Sequence, residues 1–317
     1  MAKYNVGSLI RRLRKQRGLT QEELAYPIID RANLSRIESG KTMPSKKTTE
    51  MLFERLGYNP DELTSFYLDD EMSATQKIVD EIDKRLKLLV EDEANPLINE
   101  VDELIAQLER NKKHMQTDLN VQHILISKAA NALNKKESTE KVREMLVEAL
   151  KITIPEYSTK YIEDYFLSKQ DHRVLNMMAV IYRGEGDVDK ALDIWYRLKR
   201  NYEKHCICKV EMGRKYPSLA LNLASTLYKA QRREEAIEIC DKGIESCKDT
   251  DFFRHLPVII YVKAMCLYEL GQKEESIKLL RQAYHMSEAM GIEDAVDVVM
   301  DFIRQVELAE GIEIGGL

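Results

Sequence analysis

An all-α chain in two parts is what this sequence predicts: a five-helix head over residues 1–68, then a long body of paired helices over residues 69–317. Three observations predict it. Apolar residues recur at helical spacing along the whole chain, with no credible strand. A capped helix-turn-helix lies within Leu19–Gly40, LTQEELAYPIIDRANLSRIESG. Further on, a hairpin-like helical pattern recurs at intervals of 49, 45 and 40 residues, with starts at His123, His172, Pro217 and Pro257.

Composition agrees. The 317 residues are 44% hydrophobic and 32% charged with only 13 Gly and 7 Pro, which suits a helical, two-domain protein. The net charge of −6 hides an asymmetry. Residues 1–58 hold 12 Lys and Arg against 6 Asp and Glu, leaving 36 against 48 for the rest. A basic head on an acidic body suits a head that meets phosphate and a body that is repelled by it. No apolar run reaches membrane-spanning length, and the first residues lack the apolar core of a secretory signal. Five cysteines (Cys206, Cys208, Cys240, Cys247, Cys266) are odd in number and lack paired spacing, as expected of buried free thiols in a reducing cytoplasm.

The head is read in order. Val6, Leu9, Ile10 and Leu13 line one face of a first helix, Val6–Arg17, with Arg11, Arg12 and Lys15 opposite and Gly18 ending it. Thr20 and Glu23 have the spacing of a capping box, and Pro27 keeps the second helix short. Asp30 caps a third helix that Gly40 closes. Leu24, Ile28, Leu34 and Ile37 form the shared core, so Gln21, Arg31, Asn33, Ser35 and Arg36 face away, a polar and basic face shaped for a major groove. Ser45 caps a fourth helix to Leu56, Asn59-Pro60 starts a fifth, and Asp69-Asp70-Glu71 marks the boundary.

Thr20-Gln21-Glu22-Glu23-Leu24-Ala25, Leu34-Ser35-Arg36-Ile37-Glu38-Ser39-Gly40-Lys41 and Met43-Pro44-Ser45 together resemble the phage-repressor (XRE-type) helix-turn-helix. Pro27 stands where that family has a helical polar residue, and the interval from Ala25 to Ser35 is one residue shorter. The resemblance implies duplex DNA as partner, with Gln21, Arg31, Ala32, Asn33, Ser35, Arg36 and Lys41 as the contacting residues. It also implies an ion pair between Arg14 and Glu38, tying the first helix to the third; the alternative is that Arg14 touches phosphate. A purely structural hairpin is the other reading of the motif.

In the body, Ile78, Ile82, Leu86 and Leu89 form one stripe, and Leu97, Val101, Leu104, Ile105 and Leu108 another; both read as core. The segment from Pro217 places Leu223, Ala224, Leu227 and Tyr228 on one helix and Ala236, Ile237, Cys240 and Gly243 on the next, and so resembles a tetratricopeptide repeat. Copies follow from Pro257 and precede from His172, with a weaker one from His123 that uses Ala130, Leu133, Val142, Leu146 and Ala149. All are longer than the ideal unit of about 34 residues. A C-terminal helix from Ile292 to Leu308 caps the array.

Head and body together resemble the RRNPP family of peptide-responsive regulators. The resemblance implies a homodimeric, cytoplasmic transcription factor whose repeat groove binds a short linear signalling peptide. By repeat register the inner-face candidates are Asn131, Arg173, Asn176, Asn222, Tyr228, Tyr261 and Tyr268, amides and phenols suited to an extended peptide. Each asparagine is equally suited to a local cap. Val296, Val299, Ile303 and Val306 on the cap helix are the expected dimer contacts. The alternative reading is constitutive DNA binding with a groove that scaffolds a protein partner. No phosphate loop or zinc spacing occurs and the six histidines are scattered, so neither an enzyme, a cofactor nor a metal site is expected.

Overall fold

The computed structural model describes residues 6–58, 70–88, 96–111, 118–206, 209–248 and 253–314, and among these no strand occurs. The chain forms two compact units, Met1–Ile181 and Tyr182–Leu317. The fifth head helix and the boundary at 68/69 lie outside the described residues.

The first unit opens with α1 (Val6–Gln16), α2 (Gln21–Ala25), α3 (Arg31–Glu38) and α4 (Lys46–Arg55). Each boundary has a local cause. Thr20 and Glu23 close a full capping box on α2, Asp30 accepts from Asn33 N at the start of α3, and Ser45 caps α4. α2 stops at Ala25, just before the Tyr26–Pro27 bond, which is cis. Gly40 takes a left-handed φ of 74° after α3. Ile10, Leu24, Leu34, Leu52, Phe53 and Leu56 form one core from all four helices, with Ile28 packed at its edge.

α5 (Asp70–Leu88), α6 (Leu97–Arg110), α7 (Asp118–Asn134), α8 (Thr139–Thr153) and α9 (Lys169–Gly184) follow, α9 running through the division between units. Ile82, Val101, Ile105, Leu108 and Ile124 join α5, α6 and α7 in a second core, with Ile78 and Leu86 at its margin; Leu89 lies outside the described residues. In α7 the sequence register is off by one. Ala129 and Ala132 are buried, whereas Ala130 and Leu133 are only half-buried. The cause is Asn131, which is turned inward and donates from Nδ2 to Ile98 O (3.0 Å) and Asp102 Oδ1 (2.8 Å) on α6. Beyond it, buried Asp171 joins three helices. Its Oδ2 accepts from Ser168 N and Oγ at the start of α9, and its Oδ1 from Gln122 Nε2 on α7 and Thr153 Oγ1 on α8, all at 2.6–2.8 Å.

The second unit comprises α10 (Val188–His205), α11 (Lys209–Lys229), α12 (Arg233–Lys248), α13 (Leu256–Glu269), α14 (Lys273–Ala289) and α15 (Glu293–Glu310). α11 pairs with α12 and α13 with α14, and each hairpin stacks on the next as in helical repeats. Pro217 is interior to α11, not its first residue. The buried Tyr216, Leu219 and Ala220 hold the helix across the missing donor, so packing overrides the local preference. Gly243 is the tightest point: a Cβ there would stand 2.8 Å from Ala220 Cβ and 3.3 Å from Ile259 Cδ1.

A clasp recurs between successive hairpins. Tyr228 Oη and the Arg233 guanidinium both bond the Glu269 carboxylate. One repeat later, Tyr268 Oη (2.7 Å) and Lys273 Nζ (2.7 Å) both bond Glu310, the last residue of α15. On that helix Val299, Ile303 and Val306 are buried against the chain's own repeats, so they are not the dimer contacts the sequence suggested. A helix that covers the open end of a repeat stack must spend its apolar stripe there.

Gly243→Ala should destabilise the protein by about 1–3 kcal/mol, because the extra methyl meets a helix and not a flexible side-chain end. Urea unfolding followed by circular dichroism measures this, and a stability equal to wild type would contradict the close approach.

Candidate nucleic-acid interface

α3 presents its outer face on a rigid mount. Leu34 and Ile37 are buried beneath it, while Arg31, Ala32, Asn33, Ser35 and Arg36 are exposed, with Lys41 exposed just beyond Gly40. No carboxylate among the described residues pairs with Arg31, Arg36 or Lys41. Both α3 arginines therefore stand ready for an anionic or base-edge partner.

The mount is an ion pair. Arg14 Nε and Nη2 meet Glu38 Oε1 and Oε2 at 2.6 and 2.8 Å, with both residues buried, and Arg14 Nη1 donates to Leu19 O (2.8 Å). Burial pushes the Glu38 carboxyl up, but hydrogen bonds from Arg14 and Gln21, with the Arg14 charge, hold it below its ordinary 4.5. The hydrogen bond to Glu38 raises the Arg14 pKa against the opposing effect of burial.

Two of the expected contact residues are already engaged. Gln21 Nε2 donates to Glu38 Oε2 (2.8 Å), so in the free protein it braces α2 against α3. Asn33 Nδ2 donates to Asp30 Oδ2 (2.6 Å) as part of the helix cap.

The body candidates are distributed differently from their register. Asn131, Arg173 and Asn176 lie in the first unit, and Asn222, Tyr228, Tyr261 and Tyr268 in the second. Asn131 is buried under α6, and Arg173 Nη1 pairs with Asp83 Oδ1 at 2.9 Å. Tyr228 and Tyr268 are members of the clasps, and Tyr261 is buried edge-on to Phe302 with a 5.9 Å centroid separation. Its phenol is pushed up to about 12 by burial. Asn176 and Asn222 are half-buried, and Asn222 Nδ2 donates to Ser218 O (3.2 Å).

One residue of the head escaped the sequence reading. Arg55, at the end of α4, is buried; its Nε donates to Glu23 O of α2 (3.2 Å) and its guanidinium lies 5.5 Å from the Phe166 ring centre. In sequence it is one more charge at a helix end, and its aromatic partner is far along the chain.

Residues 7–67 match the helix-turn-helix domain family, and residues 218–250 and 258–289 match two tetratricopeptide repeat families. Fold and matches thus define a helix-turn-helix head joined to a tetratricopeptide-like repeat body. Solved structures share the fold of the chain over nearly its whole length. The chain is similar to Bacillus thuringiensis PlcR in complex with the peptide PapR7 and DNA, at 19% identity and a TM-score of 0.57 over 93% of this chain and 98% of that one. It is also similar to the apo competence regulator ComR from Streptococcus vestibularis (16%, TM-score 0.51, 98% and 99%) and to the Streptococcus dysgalactiae SHP pheromone receptor Rgg2(C45S) (15%, TM-score 0.51, 95% and 98%). No curated protein sequence matches the chain significantly. No helix among the described residues is long and apolar enough to cross a membrane.

Glu38→Ala should cost about 3 kcal/mol by leaving Arg14 buried without its partner. Because the folded Glu38 pKa is depressed, the pair stabilises fully above about 4.5, and that contribution is lost as pH falls through the folded value. Glu38→Gln should remove this part of the acid limb. Thermal melting between pH 3 and 7 measures both, and superimposable wild-type and Glu38→Gln profiles would contradict the assignment.

Proposed function

We propose that the protein is a transcriptional regulator that reads duplex DNA through α3 and is controlled by a short linear peptide bound to its repeat body. The observation that carries the DNA reading is the exposed α3 face, with Arg31 and Arg36 held outward on the Arg14–Glu38 mount. Arginine forks suit guanine edges, and Lys41 suits a phosphate. Gln21 and Asn33 join by exchanging their internal bonds for DNA. One head covers too few bases for useful selectivity, so the regulator acts as a homodimer on paired half-sites.

Peptide control is supported by the architecture it shares with PlcR, whose complex holds the peptide PapR7 and DNA. Of the three candidate asparagines, Asn131 is buried while Asn176 and Asn222 are each half-buried, and each of these two is a proposed amide contact to a peptide backbone. Stacked helix pairs shift by small amounts at each interface, so a ligand spanning several selects one arrangement.

Arg31→Ala and Arg36→Ala should each weaken cognate duplex binding by about 1–3 kcal/mol and relax base preference, read by fluorescence anisotropy on sites selected from random DNA. Unchanged affinity and preference in both would remove α3 as the reader. Short synthetic peptides, screened by thermal shift, should yield one that changes DNA affinity roughly 5- to 150-fold. Asn176→Ala/Asn222→Ala should blunt that response. If no peptide shifts the wild type, a constitutive DNA binder with a protein-scaffolding groove takes the place of this reading.

A further inference from the structure

α1, with the sequence VGSLIRRLRKQ, holds four cations and no carboxylate. Arg14 is spent on Glu38. Arg11, Arg12 and Lys15 are exposed, and among the described residues no carboxylate pairs with their side chains. Body helices set cations against acids instead: Arg85 meets Glu100, Lys128 meets Glu109 and Lys263 meets Asp241, each across two helices. Like charges three and four residues apart on one helix repel each other. The α1 stripe therefore costs the helix a little stability, which an anionic partner would return.

The position of the stripe is fixed by the head's own ion pair. Arg14 marks the side of α1 that faces α3. Arg11 lies one turn before it on that flank, close enough for its charge to act on the Glu38 carboxylate, and Lys15 lies one turn beyond Arg11. Gln21 of α2 reaches the same carboxylate at 2.8 Å. Arg11 thus stands where α1, α2 and α3 converge, beside a residue of the proposed DNA face. Arg12 is about 160° round the helix from Arg14 and turns away from this edge.

We propose that the DNA interface extends beyond α3 onto α1, where Arg11 and Lys15 bind backbone phosphates flanking the contact of Gln21. The proposal rests on the DNA reading of α3 and adds to it contacts that carry no base preference. The Arg11 guanidinium offers a planar fork to phosphate oxygens, and the Lys15 ammonium a compact charge. Unlike Gln21 and Asn33, both reach phosphate without giving up an internal hydrogen bond.

The test uses the full chain and a duplex selected from random DNA, with binding followed by anisotropy over roughly 50–300 mM potassium chloride. Arg11→Ala/Lys15→Ala should lower the slope of log K against log salt by about 1.8, at about 0.9 for each phosphate, and leave base preference unchanged. Arg11→Lys/Lys15→Arg should keep the wild-type slope. Arg12→Ala, a charge removed from the other side of the same helix, should also leave it unchanged. All three positions are exposed, so thermal melting should show each variant folded like the wild type. An unaltered slope in Arg11→Ala/Lys15→Ala, or an equal loss per charge in Arg12→Ala, would overturn the α1 contacts and leave the α3 reader standing. A wild type that binds no duplex would overturn both.

Discussion

The buried pair of Arg14 and Glu38 is the constraint on which the head depends. A helix of eight residues has too few internal hydrogen bonds to hold itself, so its direction is fixed from outside. Leu34 and Ile37 fix its depth, and Glu38 fixes its rotation by accepting from Arg14 and Gln21 together. Turning α3 about its axis would break a charge-assisted fork inside the protein and leave Arg14 without a partner. The outward aim of Arg31 and Arg36 is therefore a consequence of a contact on the opposite side of the same helix.

The body uses the same device on a larger scale. Where helices must stack at set angles, a carboxylate collects donors from two or three elements. Asp171 gathers α7, α8 and the start of α9, Glu269 joins two hairpins, and Glu310 ties the last helix to the one before. Apolar burial drives the stacking but is indifferent to small rotations. The directional bonds choose among them. Arg55 extends this logic to the head, since it is fixed to the backbone of α2 and stacked on Phe166 just ahead of the Asp171 hub.

The local code made the head legible. Caps at Thr20, Asp30 and Ser45 and the glycines at 18 and 40 act over three or four residues, and the helices begin and end where those residues say. The body was legible as a period and misread in detail. Asn131 looked like a groove residue because its neighbours alternate in the right phase, yet its amide finds α6 some thirty residues back. Tyr228 and Tyr268 looked like ligand contacts, and their partners Glu269 and Glu310 sit about forty residues on. Such bonds have no signature at short range. The valines of the last helix were read as a dimer seam because the stripe itself does not say which chain covers it. Of the proposed DNA contacts, Arg31 and Arg36 were legible as outward charges, while the internal bonds of Gln21 and Asn33 emerge only in the folded chain.

The measurement that bears most directly on this account is the salt dependence of duplex DNA binding by the intact chain. Despite the net charge of −6, the basic head should bind duplex DNA at low salt, with log K falling linearly as log salt rises. Lys41→Ala should reduce that slope by about one phosphate contact while leaving base preference intact, and Arg36→Ala should relax base preference instead. Absence of duplex binding at low salt, or a slope that neither substitution alters, would contradict the claim that α3 and its flank are the DNA-reading surface.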